Sequence, residues 1–472
     1  MTCENVLKYF YEISKIPRPS YFEKDIADYL CKKGHEFGLE VFRDNENNVI
    51  LKKNVLEKPT GGLILQAHTD MVWMTDFEDD LEIKIPQDIS IENGIMTANK
   101  TTLGADNGIG IALILALLED NLDNEIVLEC LFTSNEEETM GGALALKEEH
   151  LYGQYLINLD SEQEGVITIG AAGGITSVCT LPIKKKTANF HHGVSMKITG
   201  GKGGHSGLEI HKKRENAIKL LVRLLNYLQT TDFELTKIEG GNRSNAIPSQ
   251  AIAYINTDKP QEIREAVKSF IANCQNEWQD EEDTLECYVE NTLPSDEAYY
   301  EQDKQRVLLL LENLPHGVKS QTEKFVCSSV NLATLQETEQ GVRVELTLRS
   351  SYSSWYYDEV KRIARLVEFF GGITEQKDEY AAWQYQKDSY LLYVTKNIYK
   401  ELFNKEVLHE NVHAGVECGI IMKQCPSIKE AISLGPTLRN VHTTKEELDV
   451  TSVSNVYKLL REVIIKLNSS TE

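Results

Sequence analysis

Apolar positions recur at helical spacing from Glu4 to Ile16, where Pro17 and Pro19 end the periodicity. Ser20 and Glu23 then stand at the spacing of a capping box, predicting a second helix that ends near Gly38. Farther on the period changes. Gly62 to Ala67 is a continuous apolar-rich run, predicting a strand buried on both faces. The pattern predicts helices over Gly108 to Glu119 and Met140 to Lys147. It predicts strands over Ile126 to Phe132, Tyr155 to Leu159 and Ala431 to Leu434. Such alternation marks an α/β domain with a largely parallel sheet.

From about His191 to Lys377 the pattern differs. Longer helical stretches (Glu215 to Gln229, Gln261 to Trp278, Tyr357 to Phe370) lie between alternating strands such as Ala251 to Ile255 and Val342 to Leu348. This reads as a separate α+β unit, 188–379, inserted into a host domain made of 1–187 and 380–472. LPIKKKTANFHHG and EQKDEYAAWQY are the expected crossing points, and no repeats or low-complexity tracts interrupt the chain.

A length of 472 residues with 41% hydrophobic and 26% charged positions fits a soluble protein of about three domains, or two with one of them large. The net charge of −24 argues against nucleic acid or an anionic membrane surface as partner. The most apolar window, Ile109 to Leu118, is about half the length of a membrane span. The N-terminal segment has neither a basic n-region nor an uninterrupted apolar stretch, so no signal peptide is evident. Nine cysteines without a C-x-x-C pair suit reduced thiols. The expectation is a cytoplasmic protein.

Candidate chemistry gathers at the ends of the apolar runs. His68 and Asp70 follow LILQA, Glu136 and Glu137 follow IVLECLFTSN, Asp160 follows YLINL, and His442 lies shortly after AISLGP. Asp106 precedes a predicted helix. Ligands in open α/β sheets bind at the carboxyl ends of strands, so one shared site accounts for all of them. In an extended segment His68 and Asp70 point to one face, about 7 Å apart, which lets Asp70 orient the imidazole. Of two adjacent glutamates, one can bind a metal while the other stays free as a general base. Two histidines and three carboxylates suit two Zn²⁺ ions and leave Mn²⁺ or Co²⁺ open. Charge agrees, since two dications are balanced by three carboxylates and a hydroxide. Taken singly, each piece has a plainer reading. A lone H-x-D is usually a structural pair, Glu136 to Glu138 a solvated helix face, and Asp106 a turn or N-cap residue. Their joint placement favours the metal site.

With these residues assembled, the sequence resembles the metallopeptidase family of carboxypeptidase G-type enzymes, aminoacylases and peptidase T, and within it the bacterial Xaa-His dipeptidases. The stretches that carry the resemblance include ISKIPRPS, LQAHTDMV, TTLGADNGIGIA, NEEETMGGA, LINLDSEQEG, GAAGGI, KGGHSGLEIH, RSNAIP, LRSS, HAGVECG and SLGPTLRNVH, from Ile13 to His442. The resemblance implies a three-layer α/β/α metallopeptidase domain with an inserted α+β lid and dimerisation domain. It implies that Asp106 bridges two metals, often with a cis peptide to the next residue, Asn107. His68 and Asp160 would complete one metal's shell, and Glu137 and His442 the other's. Asp70 would orient His68, and Glu136 would be the base. His205 would polarise the scissile carbonyl, Arg349 would hold the substrate's C-terminal carboxylate, and Asn245 would contact substrate. A homodimer is implied, with a small peptide as the substrate.

Two positions depart from the family pattern: Glu138–Thr139, where relatives carry a small residue and Gly, and Thr69, where an apolar residue is common. His413 and Glu417 in HAGVECG are candidates for recognising a substrate amine, with a structural role equally open. GGKGGHSG lacks the P-loop pattern, and Cys418 reads as core. The expected activity is metal-dependent hydrolysis of small unblocked peptides, most naturally dipeptides including Xaa-His. The alternatives are an N-acyl-amino-acid deacylase on the same metals and a catalytically silent metal- or peptide-binding relative. A retaining glycosidase is remote, because it leaves His68 and His442 without a role.

Overall fold

The structure, a computed structural model, describes residues 4–55, 62–76, 88–120, 126–212, 214–275, 277, 285–323 and 325–469. It divides into two compact units, one of Met1–Ala171, Trp383–Asn411 and Val416–Glu472, the other of Ala172–Ala382 and Val412–Gly415. The boundary read from the sequence at 187/188 falls later than the division at 171/172. Gly173–Leu181 is a strand of the second unit's sheet, hydrogen-bonded to Gly341–Ser350 and Ile373–Tyr380.

The first unit is built on an eight-stranded sheet. Its centre runs Leu128–Thr133, Leu63–His68, Tyr155–Asn158 and Glu430–Ser433, all parallel. The flanks are antiparallel: Glu40–Arg43 and Val49–Lys53 on one side, Val166–Ala171 on the other. The sheet is therefore mixed, parallel only where strands connect through helices. Leu63–His68 and Leu128–Thr133 are buried at every position, which explains their apolar-rich runs, with Gln66 and Glu129 as buried polar exceptions. The helix Ala105–Glu119 is buried along nearly its whole length and shares one core with Glu4–Ile13 and Val450–Ser469. A helix apolar on all sides belongs inside a protein core. Asp106 and Asn107 carry non-helical backbone angles, so the regular helix starts at Gly108, where its periodicity predicts, and Asp106 lies in the kinked turn that leads into it. No described helix is long and apolar enough to cross a membrane.

The predicted capping box does not form. The helix Lys24–Glu36 has Glu23 at its N-cap without a side-chain cap bond. The Ser20 hydroxyl instead donates to Asp70 (2.8 Å), and the Glu23 carboxylate accepts from the N–H groups of Tyr21 and Asn135. Tertiary partners have taken the groups that local spacing assigned to the helix.

The second unit is a nine-stranded antiparallel sheet with the helices Ala217–Tyr227, Pro260–Gln275, Glu301–Asn313 and Ser353–Phe369 around its own core. The expected end of one helix at Trp278 lies outside the described residues. The eight cysteines among the described residues are all free.

Candidate metal centre

Three parallel strands deliver their chemistry at one end of the first unit's sheet. His68 is the last residue of its strand and pairs with Thr133, after which the chain turns into the short helix Glu136–Thr139. Asp160 follows Tyr155–Asn158. His442 arrives from elsewhere. It lies in the loop between the paired strands Leu438–Arg439 and Glu447–Asp449, with its backbone in the left-handed region at φ 63°. Glu447–Asp449 pairs with Ile95–Ala98, the strand that leads toward Asp106.

These segments bring the five candidate ligands together. The two oxygens of Asp106 face different imidazoles: Oδ1 lies 3.0 Å from His68 Nε2 and Oδ2 lies 3.1 Å from His442 Nε2. His68 Nε2 is also 3.3 Å from Asp160 Oδ1, and His442 Nε2 is 3.0 Å from Glu137. One donor atom from each of His68, Asp106 and Glu137 lies within 4.8 Å of the others. Among the described residues, no lysine or arginine forms an ion pair with Asp106, Glu137 or Asp160. Three carboxylates converging on two imidazole nitrogens, with the buried Arg18 near them but paired with none of the three, are costly unless cations join them. The donor set therefore fits divalent metal ions. The electrostatics carry the same imprint. Hydrogen bonds to Asp106 and Glu137 push His442 up to about 11. At His68, burial is outweighed by Asp160, Asp106 and Asp70, so its value also rises. Burial pushes Asp160 up to about 6.

Asp70 has two duties. Its Oδ1 lies 3.4 Å from His68 Nδ1. The same carboxylate accepts the backbone N–H groups of Glu136 (2.9 Å) and Glu137 (3.2 Å), so it also fixes the turn that presents both glutamates. Burial, with Asp160, Glu417 and Glu137 close by, holds the Glu136 carboxyl well above the usual carboxylate range despite His68. Glu138, the third glutamate of the run, is exposed, whereas Glu136 and Glu137 are partly buried. Thr69 fits its departure from the pattern: its hydroxyl donates to the Thr133 carbonyl at 2.9 Å. The Asp106–Asn107 peptide is cis, as the resemblance implies, and the Asn107 amide donates to Asp160 at 2.7 Å.

Two supporting residues escaped the sequence reading. The buried Glu446 carboxylate accepts from the N–H groups of Gly104, Ala105 and Asp106 at 2.9, 2.9 and 3.1 Å. Arg18, also buried, donates to the carbonyls of Thr69, Asp70 and Gly104, tying the Asp70 and Asp106 segments together. For Arg18 there was a signal, a cation held between two prolines. For Glu446 there was none, since it stands in the polar run TTKEELD.

Glu417 is placed differently from its expected contact with substrate. It is wholly buried in the first unit, where one oxygen accepts from Gln66 (2.6 Å) and Thr133 (2.9 Å). Burial pushes it up to about 8. Gln66 continues the chain to Asn158, and Asn158 accepts from Ser433, a polar row across the central strands.

The remaining candidates belong to the second unit. His205 pairs with Ala246 across Gly204–His205 and Ala246–Ile247, and the neighbouring Asn245 carbonyl accepts the Ser206 N–H at 2.8 Å. Burial, helped by the charge of Arg349, lowers His205. His205, Asn245 and Arg349 therefore belong to one region of this unit.

Comparison with known proteins gives consistent results. Residues 190–281 match the family model described as peptidase dimerisation domain. The chain is 34% identical over 474 residues to the cytosol non-specific dipeptidase of Escherichia coli (strain K12), covering 96% of each. It superposes on the aminoacylhistidine dipeptidase of Vibrio alginolyticus with a TM-score of 0.86 at 30% identity, covering 98% of this chain and 96% of that one. The Bacillus cereus aminopeptidase PepT shares the fold, with a TM-score of 0.57 at 16% identity over 99% of both chains. With more than 30% identity over nearly the whole of both chains, this protein belongs to the cytosol non-specific dipeptidase family of metallopeptidases.

Proposed function

We propose that this peptide-bond hydrolase cleaves small unblocked dipeptides, Xaa-His among them, at a centre that holds two divalent ions. Zn²⁺ is the expected metal, with Mn²⁺ or Co²⁺ as alternatives. The observation that carries the reading is the Asp106 carboxylate, whose two oxygens each face a different imidazole. His68 and Asp160 would hold one ion, Glu137 and His442 the other, and Asp106 both. Bound there, the ions would supply Lewis acidity toward the scissile carbonyl and make water acidic near neutral pH.

The chain's own residues do the rest. Glu136 takes the proton of the attacking water on its carboxylate and returns it to the leaving amine. Asp70 keeps His68 oriented and, through two backbone N–H groups, keeps Glu136 in place. His205 donates toward the developing oxyanion, Arg349 binds the C-terminal carboxylate, and Asn245 contacts the substrate. The insert, 188–379 in the sequence division, serves as lid and dimerisation domain, and its match to the peptidase dimerisation model supports a homodimer. Likeness to a relative named as cytosolic supports a cytoplasmic location. Glu417, being buried and bonded, is assigned to support of the strand ends and not to substrate.

The test is hydrolysis of unblocked Ala-His and its N-acetyl twin by metal-reconstituted protein, followed as free amine released. Cleavage of the unblocked peptide alone is expected. Release of acetate from the blocked twin instead overturns the reading in favour of a deacylase.

A further inference from the structure

The second unit's sheet sets four residues in one register row across four strands. Ser329 on Val326–Thr338 pairs with Arg349 on Gly341–Ser350. Arg349 pairs with Gly174 on Gly173–Leu181, and Gly174 pairs with Tyr380 on Ile373–Tyr380. Residues opposite one another in an antiparallel sheet project to the same face. On that face the row reads serine, arginine, glycine, tyrosine.

The glycine decides what the row can do. A Cβ at Gly174 would lie 2.4 Å from Tyr380 Oη and 2.5 Å from its Cζ, so the tyrosine ring fills the space a side chain would take. Reaching over that strand, the Tyr380 hydroxyl accepts a hydrogen bond from Arg349 Nη1, and the guanidinium carbon lies 5.9 Å from the ring centroid. At the other end of the row, Ser329 Oγ is 2.7 Å from His413 Nε2. Arg349 is 7% exposed, its Nε is buried without a protein partner, and among the described residues no carboxylate pairs with it. A guanidinium so buried and unpaired is matched when an anion arrives. Tyr380 occupies Nη1 and leaves Nε and Nη2, the edge that meets both oxygens of a carboxylate.

We propose that Tyr380, admitted by the missing side chain of Gly174, is a positioning residue that presents the Nε–Nη2 edge of Arg349 to the C-terminal carboxylate of the substrate. The proposal rests on the carboxylate-binding role given to Arg349 above. Tyr380→Phe removes only the hydroxyl and keeps the ring over Gly174. With the full-length, metal-reconstituted chain, KM for unblocked Ala-His should rise about tenfold while kcat stays within about twofold. On Ala-His amide, which lacks the carboxylate, Tyr380→Phe and the unaltered chain should behave alike. An unchanged KM on Ala-His overturns the proposal, and so does an equal loss on acid and amide, which marks a general structural role. Arg349→Ala separates the two readings. If it keeps the preference for acid over amide, the carboxylate role of Arg349 fails. If it abolishes that preference while Tyr380→Phe retains it, the proposal for Tyr380 alone fails.

Discussion

Replacing Glu446 with glutamine removes one acceptor and one charge from beneath the Asp106 turn. In the intact chain Oε1 accepts from Ala105 and Asp106, and Oε2 accepts from Gly104. A glutamine that keeps its oxygen at the first position turns its amide N–H toward the Gly104 N–H. That leaves one buried donor unsatisfied, at a cost of about 1–3 kcal/mol. The other two bonds change from charge-assisted to neutral, at about 1 kcal/mol each. Burial acts the other way. It holds the Glu446 carboxyl above its ordinary value despite three N–H donors, so a neutral side chain recovers part of the loss. The net expectation is a destabilisation of about 2–3 kcal/mol. Because the turn carries Asp106, metal affinity should fall roughly 10–100-fold, as it does when a ligand's supporting bond is lost. The assays are urea unfolding of the metal-free chain and metal titration against a chelating dye. Lost stability with unchanged metal affinity would refute the idea that Glu446 acts through Asp106, and no change in either would refute the energetic reasoning itself.

Three further outcomes are expected. Glu136→Gln should cut turnover by roughly 10²–10⁴ while metal content matches that of the unaltered chain; metal lost together with activity would make Glu136 a ligand. Chelation should abolish hydrolysis and lower thermal stability, because Asp106, Glu137 and Asp160 are left facing one another, with both properties returning when metal is restored. Activity that survives chelation would refute this. His413 is held down at about 3 by burial and by the charge of Arg349, so the fold keeps it neutral where an unfolded chain takes up a proton. Its contribution to stability is present above the unfolded value near 6.5 and is lost progressively as pH falls toward the folded value. That amounts to about 2 kcal/mol by pH 5. His413→Gln should flatten the stability profile between pH 7 and pH 5 by that amount, and an unaltered slope would show that His413 titrates freely.

The parts of the fold legible in the sequence were those where one element's burial is written in its own residues. Leu63–His68 and Leu128–Thr133 are buried throughout and read as apolar-rich runs, so the chemistry at their ends was found with them. The kinked turn that leads into the helix at Gly108 was not legible. Asp106 and Asn107 carry non-helical backbone angles, and the turn is held by a carboxylate 340 positions away. Ser20 and Glu23 were misassigned for a related reason: their spacing satisfies a local rule, but their side chains serve Asp70 and Asn135.

The same distinction runs through the site. His68, Glu137 and Asp160 were marked by chemistry at strand ends, Asp106 by its place before a helix and His442 by its place shortly after an apolar run, whereas the residues that aim these candidates carry no such mark. Arg18 contacts the carbonyls of Thr69, Asp70 and Gly104, and Asp70 in turn holds the turn at Glu136 and Glu137. A change at any of these supports that moves ligand or base by more than about 0.5 Å takes it outside the tolerance of a preorganised site. Gly174 shows the point in its simplest form. In the sequence it is one glycine among several in GAAGGI, and only register across three strands shows that its missing side chain is what lets Tyr380 reach Arg349. Local patterns therefore mark the groups that do chemistry, and long-range pairing decides where those groups point.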